Sequence, residues 1–393
     1  MIIREKYINE IRPFYDSDLI KIITGIRRCG KSTILEQIKS EIEKKTDNII
    51  YMNFEDKYMT RDIGSGMDLI DYVEKNRDST KVYLFFDEIQ ELNGWQDACK
   101  TLRLRNSSVF ITGSNSKLLS GEFTKELSGR YVSFRIRPFV FKELDEYAKQ
   151  LGKELSISDY LIWGGFPGRL EQTNKNAERR YLLDFNDTIV INDLVRRYQI
   201  RKPELFMSLV NYVLKSNARI FSAKSIHTYI KQEHLSCSIN TIMNYLDYLK
   251  EAYIIDEISQ YSTKVKRELS FYKKIYNEDV SFNSIRAREN SYDLTHNLEN
   301  IVYNELLYRG YALNVYNNNG KEVDFLAEKN GKRYFIQVAY SVAEEKAYSR
   351  EFGAFARLSQ IDKKILITID EVDFSTSNVE HISLGKFLMM DEL

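Results

Sequence analysis

Cysteine is scarce in this chain of 393 residues: Cys29, Cys99 and Cys237 lie far apart and form no CxxC pair. An odd, dispersed set excludes a disulfide framework and a cysteine-rich zinc site, and makes a reducing cytosol the expected compartment. Long apolar runs are lacking too. No stretch approaches the ~20 residues that span a bilayer, so no membrane-spanning protein is expected. The opening MIIREKYINEIRPF is charged throughout and unlike a signal peptide, so export by that route is not expected either. Net charge is also missing, because 57 Lys and Arg balance 57 Asp and Glu. Whole-chain charge therefore argues neither for nor against nucleic acid, and only local asymmetry can.

What is present is apolar mass. The chain is 43% hydrophobic and 13% aromatic, enough for more than one core, and its length points to two or three domains.

Leu19 to Ile23 is a short apolar run ending in Thr24, followed by GIRRCGKST and a helical pattern at Ile34, Leu35, Ile38 and Ile42. Strand, glycine loop and helix in that order are the setting of a phosphate-binding P-loop. Gly25 and Gly30 let the backbone curl so that its amides and the helix N-terminus face phosphate oxygens. Lys31 neutralises the outer phosphates and the Ser32 hydroxyl ligates Mg²⁺. The expected ligands are ATP and Mg²⁺, bound by Gly25, Ile26, Arg27, Arg28, Cys29, Gly30, Lys31, Ser32 and Thr33.

A second strand is expected over Asn48 to Phe54. A third, KVYLFFDE over Lys81 to Glu88, carries consecutive apolar residues before two carboxylates, as a central parallel strand does. Strand ends face the ligand crevice in open α/β sheets, so Asp87 would orient the metal and Glu88 act as general base. The pair could instead cap a helix opening at Ile89. A fourth strand, Ser108 to Thr112, ends in Gly113, Ser114, Asn115 and Ser116. That turn either positions the γ-phosphate or attacking water, through Asn115 and then Ser114, or caps the helix around Lys117 to Leu119. Arg130 precedes a fifth strand, Tyr131 to Ile136, and is either a finger reaching a phosphate, in a neighbouring subunit of an oligomer, or a salt-bridge partner.

Taken together, GIRRCGKST, FFDEIQ with Trp95, ITGSNSKLLS, LSGRY, the Arg137 to Leu144 segment RPFVFKEL and the Trp163 to Arg169 segment WGGFPGR resemble prokaryotic AAA-type P-loop ATPases, relatives of archaeal and signal-transduction ATPases. These pair the ATPase core with a winged helix and a C-terminal domain of unknown function related to restriction-endonuclease folds. The resemblance spans nearly the whole chain. It implies an α/β fold: a P-loop NTPase parallel sheet of AAA type over 1–140, a helical lid over 141–200, a winged helix over 201–282 and a C-terminal α/β restriction-endonuclease-like domain over 283–393. It also implies a sensor role for the turn after the fourth strand. Gly165-Phe166-Pro167 is similar to the element by which related ATPases bring a proline to the nucleotide, which makes Pro167, one of only four prolines, a nucleotide-contact candidate. A plain helix-breaking turn is the other reading.

From Arg196 to Ile275 there are fourteen Lys or Arg against seven Asp or Glu. Helical patterns at Leu205 to Leu214, Ser225 to Gln232 and Ile239 to Leu249, the last behind a Ser238 cap and before a strand-like Tyr253 to Ile258, have the layout of a winged helix. Such a domain could read DNA with Asn240, Thr241 and Asn244 and with a wing carrying Lys264, Lys266 and Arg267. It could equally serve as a regulatory arm or oligomer contact, as in the resembled ATPases.

The C-terminal segment, with a helix over His296 to Gly310, a strand at Leu313 to Tyr316, then KEVDFLAEKN and RYFIQVAYS, resembles a PD-(D/E)xK nuclease core. The corresponding residues are Glu305 or Glu299, Asp324 and Gln337. Gln337 replaces the acid and Ala339 the lysine, with Lys346 the lysine available to migrate in. A glutamine is a poor ligand for a hard cation, so a degenerate fold kept for binding or assembly is expected. For Glu322 and Asp324 the plainer reading is a solvent-facing strand edge. The expected activity is ATP hydrolysis driving a conformational switch, with DNA, a second copy or a protein as partner. An ATP-gated nuclease and a switch that binds nucleotide without turnover are the alternatives.

Overall fold

The computed structural model describes residues 2–114, 129–261, 273–289, 291–318, 321–356 and 358–393. The chain forms two compact units, Met1–Pro138 with Glu251–Tyr253, and Phe139–Lys250 with Ile254–Leu393.

In the first unit, β1 (Ile20–Thr24), β2 (Ile49–Asn53), β3 (Val82–Asp87), β4 (Ser107–Gly113) and β5 (Tyr131–Arg135) form one parallel sheet in the order β2-β3-β4-β1-β5. Each expected strand is found within two residues of its sequence-read ends. All parallel strands need crossovers. These include α2 (Lys31–Glu43), α3 (Gly66–Asn76) and α4 (Trp95–Arg103), with α1 (Glu5–Ile11) ahead of β1. Side chains alternate across the sheet: Ile20, Ile22, Leu84, Phe86, Val109 and Ile111 share a core with Leu69 and Val73 of α3 and with Trp95, Cys99 and Leu102 of α4. Phe85 and Phe110 stack at 4.8 Å, and Tyr15 meets Phe110 edge-on at 5.8 Å.

Lys21 is also on Phe110's side of the sheet. Its ammonium is fully buried, donates to Ser108 Oγ at 2.7 Å and to the Ser17 carbonyl at 3.2 Å, and sits 4.5 Å from the Phe110 ring centre.

The second unit begins with α5 (Phe141–Gln150), α6 (Ile157–Trp163) and α7 (Lys175–Asp187). The WGGFPGR segment between α6 and α7 is a tightly packed joint. A Cβ on Gly165 would lie 1.9 Å from the Phe139 carbonyl oxygen, and one on Gly164 (φ +66°) 1.9 Å from an Asp279 carboxylate oxygen. Arg169, fully buried, donates to the Gly164 carbonyl at 3.1 Å and to Asp159 and Glu178 at 2.8 and 2.9 Å. The glycines are there because backbone and carboxylate approach where a side chain would stand.

Next come α8 (Pro203–Lys215), β6 (Arg219–Phe221), α9 (Ala223–Gln232), α10 (Ile239–Glu251), β7 (Ile255–Tyr261) and β8 (Lys273–Asn277). Ser238 Oγ accepts from the Thr241 amide at 3.1 Å, the expected cap. After α11 (Leu294–Tyr308), β9 (Ala312–Asn318), β10 (Lys321–Lys329) and β11 (Lys332–Val338) run antiparallel. Then α12 (Glu345–Ala354), β12 (Lys363–Thr368), β13 (Glu380–Ser383) and α13 (Leu384–Met389) complete the chain. One mixed sheet, β13-β12-β11-β10-β9-β7-β8-β6, collects strands from both the middle and C-terminal segments. Among the described residues no helix is long and apolar enough to cross a membrane.

Burial lowers the Lys21 pKa to about 7, with help from the nearby Lys81 charge. The unfolded chain thus holds a proton that the folded chain has released between about 7 and the ordinary lysine range near 10.4. Raising the pH through that window favours folding. Urea denaturation across pH 7–10 is expected to show stability rising in the native protein and a visibly flatter profile in Lys21→Met. Parallel profiles would show that the ammonium is not the group responsible.

Candidate functional site

The loop between β1 and α2 is shaped by what stands beneath it. Gly25 has φ +144°, and a Cβ there would lie 2.1 Å from the Ile136 carbonyl oxygen, while Gly30 has φ +99° and opens α2. No side chain caps that end of α2, so its first amides stay available to an anion. The Ile136–Arg137 backbone forms the floor: the Ile136 amide donates to the Thr24 carbonyl at 2.7 Å, and Cys29 Sγ donates to the Ile136 carbonyl at 3.3 Å. Arg4, almost wholly buried, donates through Nη1 to the carbonyls of Cys29 at 3.1 Å and Arg137 at 2.9 Å, and its guanidinium lies 4.5 Å from the Tyr7 ring centre.

Within the loop, Lys31 is buried and its Nζ donates to the Ile26 carbonyl at 3.1 Å, with Glu88 Oε1 3.8 Å away. Ser32 is exposed on the first turn of α2 and Thr33 half-buried. Arg27 reaches Glu55 at 3.5 Å, and Arg28 is exposed with φ +61°.

Asp87 and Glu88 sit where β3 ends. Asp87 is 1% exposed and accepts from the Thr112 hydroxyl, while Thr112 Oγ1 accepts from the Glu88 amide at 2.9 Å. Thr112, at the end of the neighbouring β4, thus fixes both acidic residues. Glu88 has φ +49° and makes no side-chain cap to the short helix Ile89–Glu91, which removes the capping reading of this pair. Its other carboxylate oxygen accepts from Gln90. Negative charge accumulates here. The carboxyl of Glu55 is raised by burial and then by Glu88, and the Tyr51 hydroxyl is pushed up to about 12 by burial and then by Asp87.

Thr24 Oγ1 and Ser114 Oγ are buried without a hydrogen-bond partner among the described residues. Two orphaned hydroxyls at the strand ends, an uncapped helix start, an ammonium and an excess of carboxylate fit a phosphate with a divalent cation. Asn115 lies outside the described residues.

Two expected residues do not join this group. Arg130 is exposed and precedes β5, whose register pairs Tyr131 with Ile20 and Arg135 with Thr24. It therefore stands at the opposite end of the strand, roughly 20 Å along the strand direction from the start of the P-loop. Pro167 belongs to the second unit, where its glycine neighbours are accounted for by the joint with Phe139 and Asp279. Arg4, Thr112 and Gln90 join the site from outside the residues to which the sequence motifs assign a role. Gln90 lies inside the FFDEIQ motif and is legible there, whereas nothing in the sequence ties Arg4 to a residue 133 positions on.

In the second unit the acidic residues of the C-terminal sheet meet a lysine of the middle segment. Lys274 Nζ lies 2.8 Å from Glu299, 2.7 Å from Glu322 and 3.2 Å from Asp324. Asp324 is buried, so the strand-edge reading fails for it. Glu305 pairs instead with Arg309 at 2.9 Å, and Lys346 is exposed on α12. Gln337 accepts from the Asp324 amide and donates to Glu351 at 2.8 Å. Other cations counted in the basic surplus are paired within the chain: Lys250 and Lys273 with Glu257, and Arg219 with Asp293. The wing residues Lys264, Lys266 and Arg267 lie outside the described residues.

Arg4→Ala strands the carbonyls of Cys29 and Arg137 and is expected to cost about 2–3 kcal/mol in urea denaturation, against almost nothing for the exposed Lys45→Ala. Equal stability of the two variants would show that the arginine does not brace the loop.

Residues 17–145 match the family described as AAA domain, residues 154–289 a domain of unknown function (DUF8612), and residues 295–387 a second domain of unknown function (DUF4143). An uncharacterized protein of Haemophilus influenzae is 32% identical over 379 residues, covering 94% of this chain and 93% of the relative. An uncharacterized protein of Methanocaldococcus jannaschii is 32% identical over 376 residues, covering 90% and 82%. Among solved structures, a Walker-type ATPase of Pyrococcus abyssi shares the fold with a TM-score of 0.51 at 16% identity, over 73% of this chain and 96% of that one. The chain thus belongs to the family of these two full-length relatives, built in this case from an AAA domain followed by two domains of unknown function.

Proposed function

We propose that the first unit binds ATP with Mg²⁺ and hydrolyses it. The observation that carries this reading is the convergence of Lys31, Asp87 and Glu88 at the strand ends beside a loop whose glycines take positive φ. The loop amides and Lys31 hold the phosphates, and Ser32 and Asp87 hold the metal. When bound, Mg²⁺ supplies positive charge between the phosphate oxygens. Glu88 takes a proton from the attacking water, its backbone fixed through Thr112 and its carboxylate steered by Gln90. Lys31, now 3.8 Å from Glu88, turns to phosphate and leaves that carboxylate free for water.

In this reading turnover drives a conformational switch of the helical and mixed-sheet segments. Support comes from chain connectivity: Ile136 and Arg137, the floor of the loop, lie next to Pro138, where the first unit ends. Arg130 retains a phosphate-directed role only toward a neighbouring subunit. Pro167 remains a candidate contact that responds to nucleotide.

For the middle segment we read a winged helix. The order α8, β6, α9, α10, β7, β8 and the pairing of β8 with both β6 and β7 support it. Because several of its cations are already paired, a regulatory or assembly role is favoured over DNA contact. The C-terminal segment, α11, then antiparallel β9 to β11, then α12 and parallel β12, supports a restriction-endonuclease-like core that has lost its chemistry.

Steady-state phosphate release is expected to disappear in Lys31→Ala. It should fall at least about 100-fold in Glu88→Gln, with ATP binding retained. Turnover in Glu88→Gln equal to the native rate would remove that residue from the chemistry. Duplex DNA added at low salt is expected to leave the native rate unchanged; stimulation that fades as salt rises would restore DNA as a partner.

A further inference from the structure

The acidic centre of the C-terminal sheet already holds a cation. Glu299 from α11 and Glu322 and Asp324 from β10 converge on Lys274 Nζ, which comes from β8 and is 5% exposed. Two of the acids have further partners. The same Glu299 Oε1 that faces Lys274 also accepts from the Tyr276 hydroxyl at 2.6 Å, and Asp324 Oδ2 accepts from the Val338 amide at 2.9 Å. Tyr276 is itself locked in place, stacked on Tyr303 at 4.0 Å.

Nitrogen-to-oxygen distances of 2.7 to 3.2 Å are those of charge-assisted hydrogen bonds from an ammonium. A magnesium ion would draw the same oxygens to about 2.1 Å. Among the described residues no group of three or more His, Cys, Asp or Glu is arranged to hold a metal ion, which is what a ring spaced around nitrogen gives. Three carboxylates brought this close, two of them buried and Glu322 half-buried, would repel one another without a positive charge among them. Burial alone would lower the Lys274 pKa, but Asp324, Glu299 and Glu322 more than offset it, so the side chain stays charged.

We propose that Lys274 is the resident cation of this centre, occupying the place a divalent metal would take and fastening the middle segment to the C-terminal sheet without one. It follows that the domain neither binds nor needs Mg²⁺ at these residues and does not cut DNA. The inference rests on the nuclease-like reading only for the comparison with a metal. It needs nothing from the nucleotide site.

The test uses the full chain without nucleotide. Binding of Mn²⁺ is followed by the loss of its free-ion electron paramagnetic resonance signal, and stability by thermal melting. Native protein is expected to show no Mn²⁺ binding that Asp324→Asn removes, and no Mn²⁺-dependent shift in melting. Lys274→Ala is expected to melt at least about 3 °C lower and to recover part of that loss with 1 mM MnCl₂, a recovery that Asp324→Asn abolishes. Should Lys274→Ala fold only when Mn²⁺ is present, the proposal is supported in the same way. Mn²⁺ bound by native protein and lost in Asp324→Asn would overturn it, as would Mg²⁺-dependent cleavage of duplex DNA that the same substitution removes. A Lys274→Ala variant as stable as native protein without metal would overturn it too. None of these outcomes depends on ATP turnover, so failure here leaves the nucleotide reading standing.

Discussion

The contact of the P-loop with the Ile136 carbonyl is the constraint from which the first unit's chemistry follows. Only a glycine can stand at position 25, because the strand-following backbone at Ile136 passes where a Cβ would be. Close approach turns the loop, and Gly30 at φ +99° then opens α2 without a side-chain cap. Arg4 and Cys29 then spend their hydrogen bonds on keeping that floor and that loop together. A site for a highly charged ligand must be rigid before the ligand arrives, since donors that have to be gathered during binding weaken it. Here the rigidity is supplied by backbone carbonyls tied to a buried guanidinium.

The molecule handles concentrated carboxylate in two ways. In the first unit one ammonium, Lys31, stands near a single acid and is otherwise tethered to a carbonyl, while Asp87 leans on a neutral hydroxyl. Positive charge there is incomplete, and a ligand with its metal would complete it. In the second unit three acids close on Lys274, and the lysine meets the demand internally. On the two proposals made above, the same electrostatic need leaves one site receptive and the other satisfied from within.

Much of the first unit was legible in sequence because its signals are local. Strand, glycine loop and helix lie within about two dozen residues, and the apolar run of β3 ends directly in Asp87 and Glu88. The loss was greatest where charged residues act across long separations. Arg4 reaches Arg137 and Lys274 reaches Asp324 with no periodicity to announce either meeting. Arg130 shows a different limit. Its place before a strand was visible, but which end of the sheet that place falls on depends on β5 running parallel to β1. The basic surplus of the middle segment is only partly informative for a related reason: composition counts cations, whereas the fold decides which face Glu257, Asp293 or Glu299. WGGFPGR stood out correctly as a special segment, yet its glycines answer to Phe139 and Asp279, contacts 26 and 115 residues away in sequence.

The central claim is that the braced loop and its lysine bind a metal-bound nucleotide. Isothermal titration calorimetry of native protein with a slowly hydrolysed ATP analogue tests it most directly, run with Mg²⁺ and again with EDTA, beside a Lys31→Ala sample shown to be folded. The account predicts saturable binding near one equivalent that weakens at least about tenfold without Mg²⁺ and vanishes in the variant. No binding by the native protein, or the same binding curve in both proteins, would contradict it.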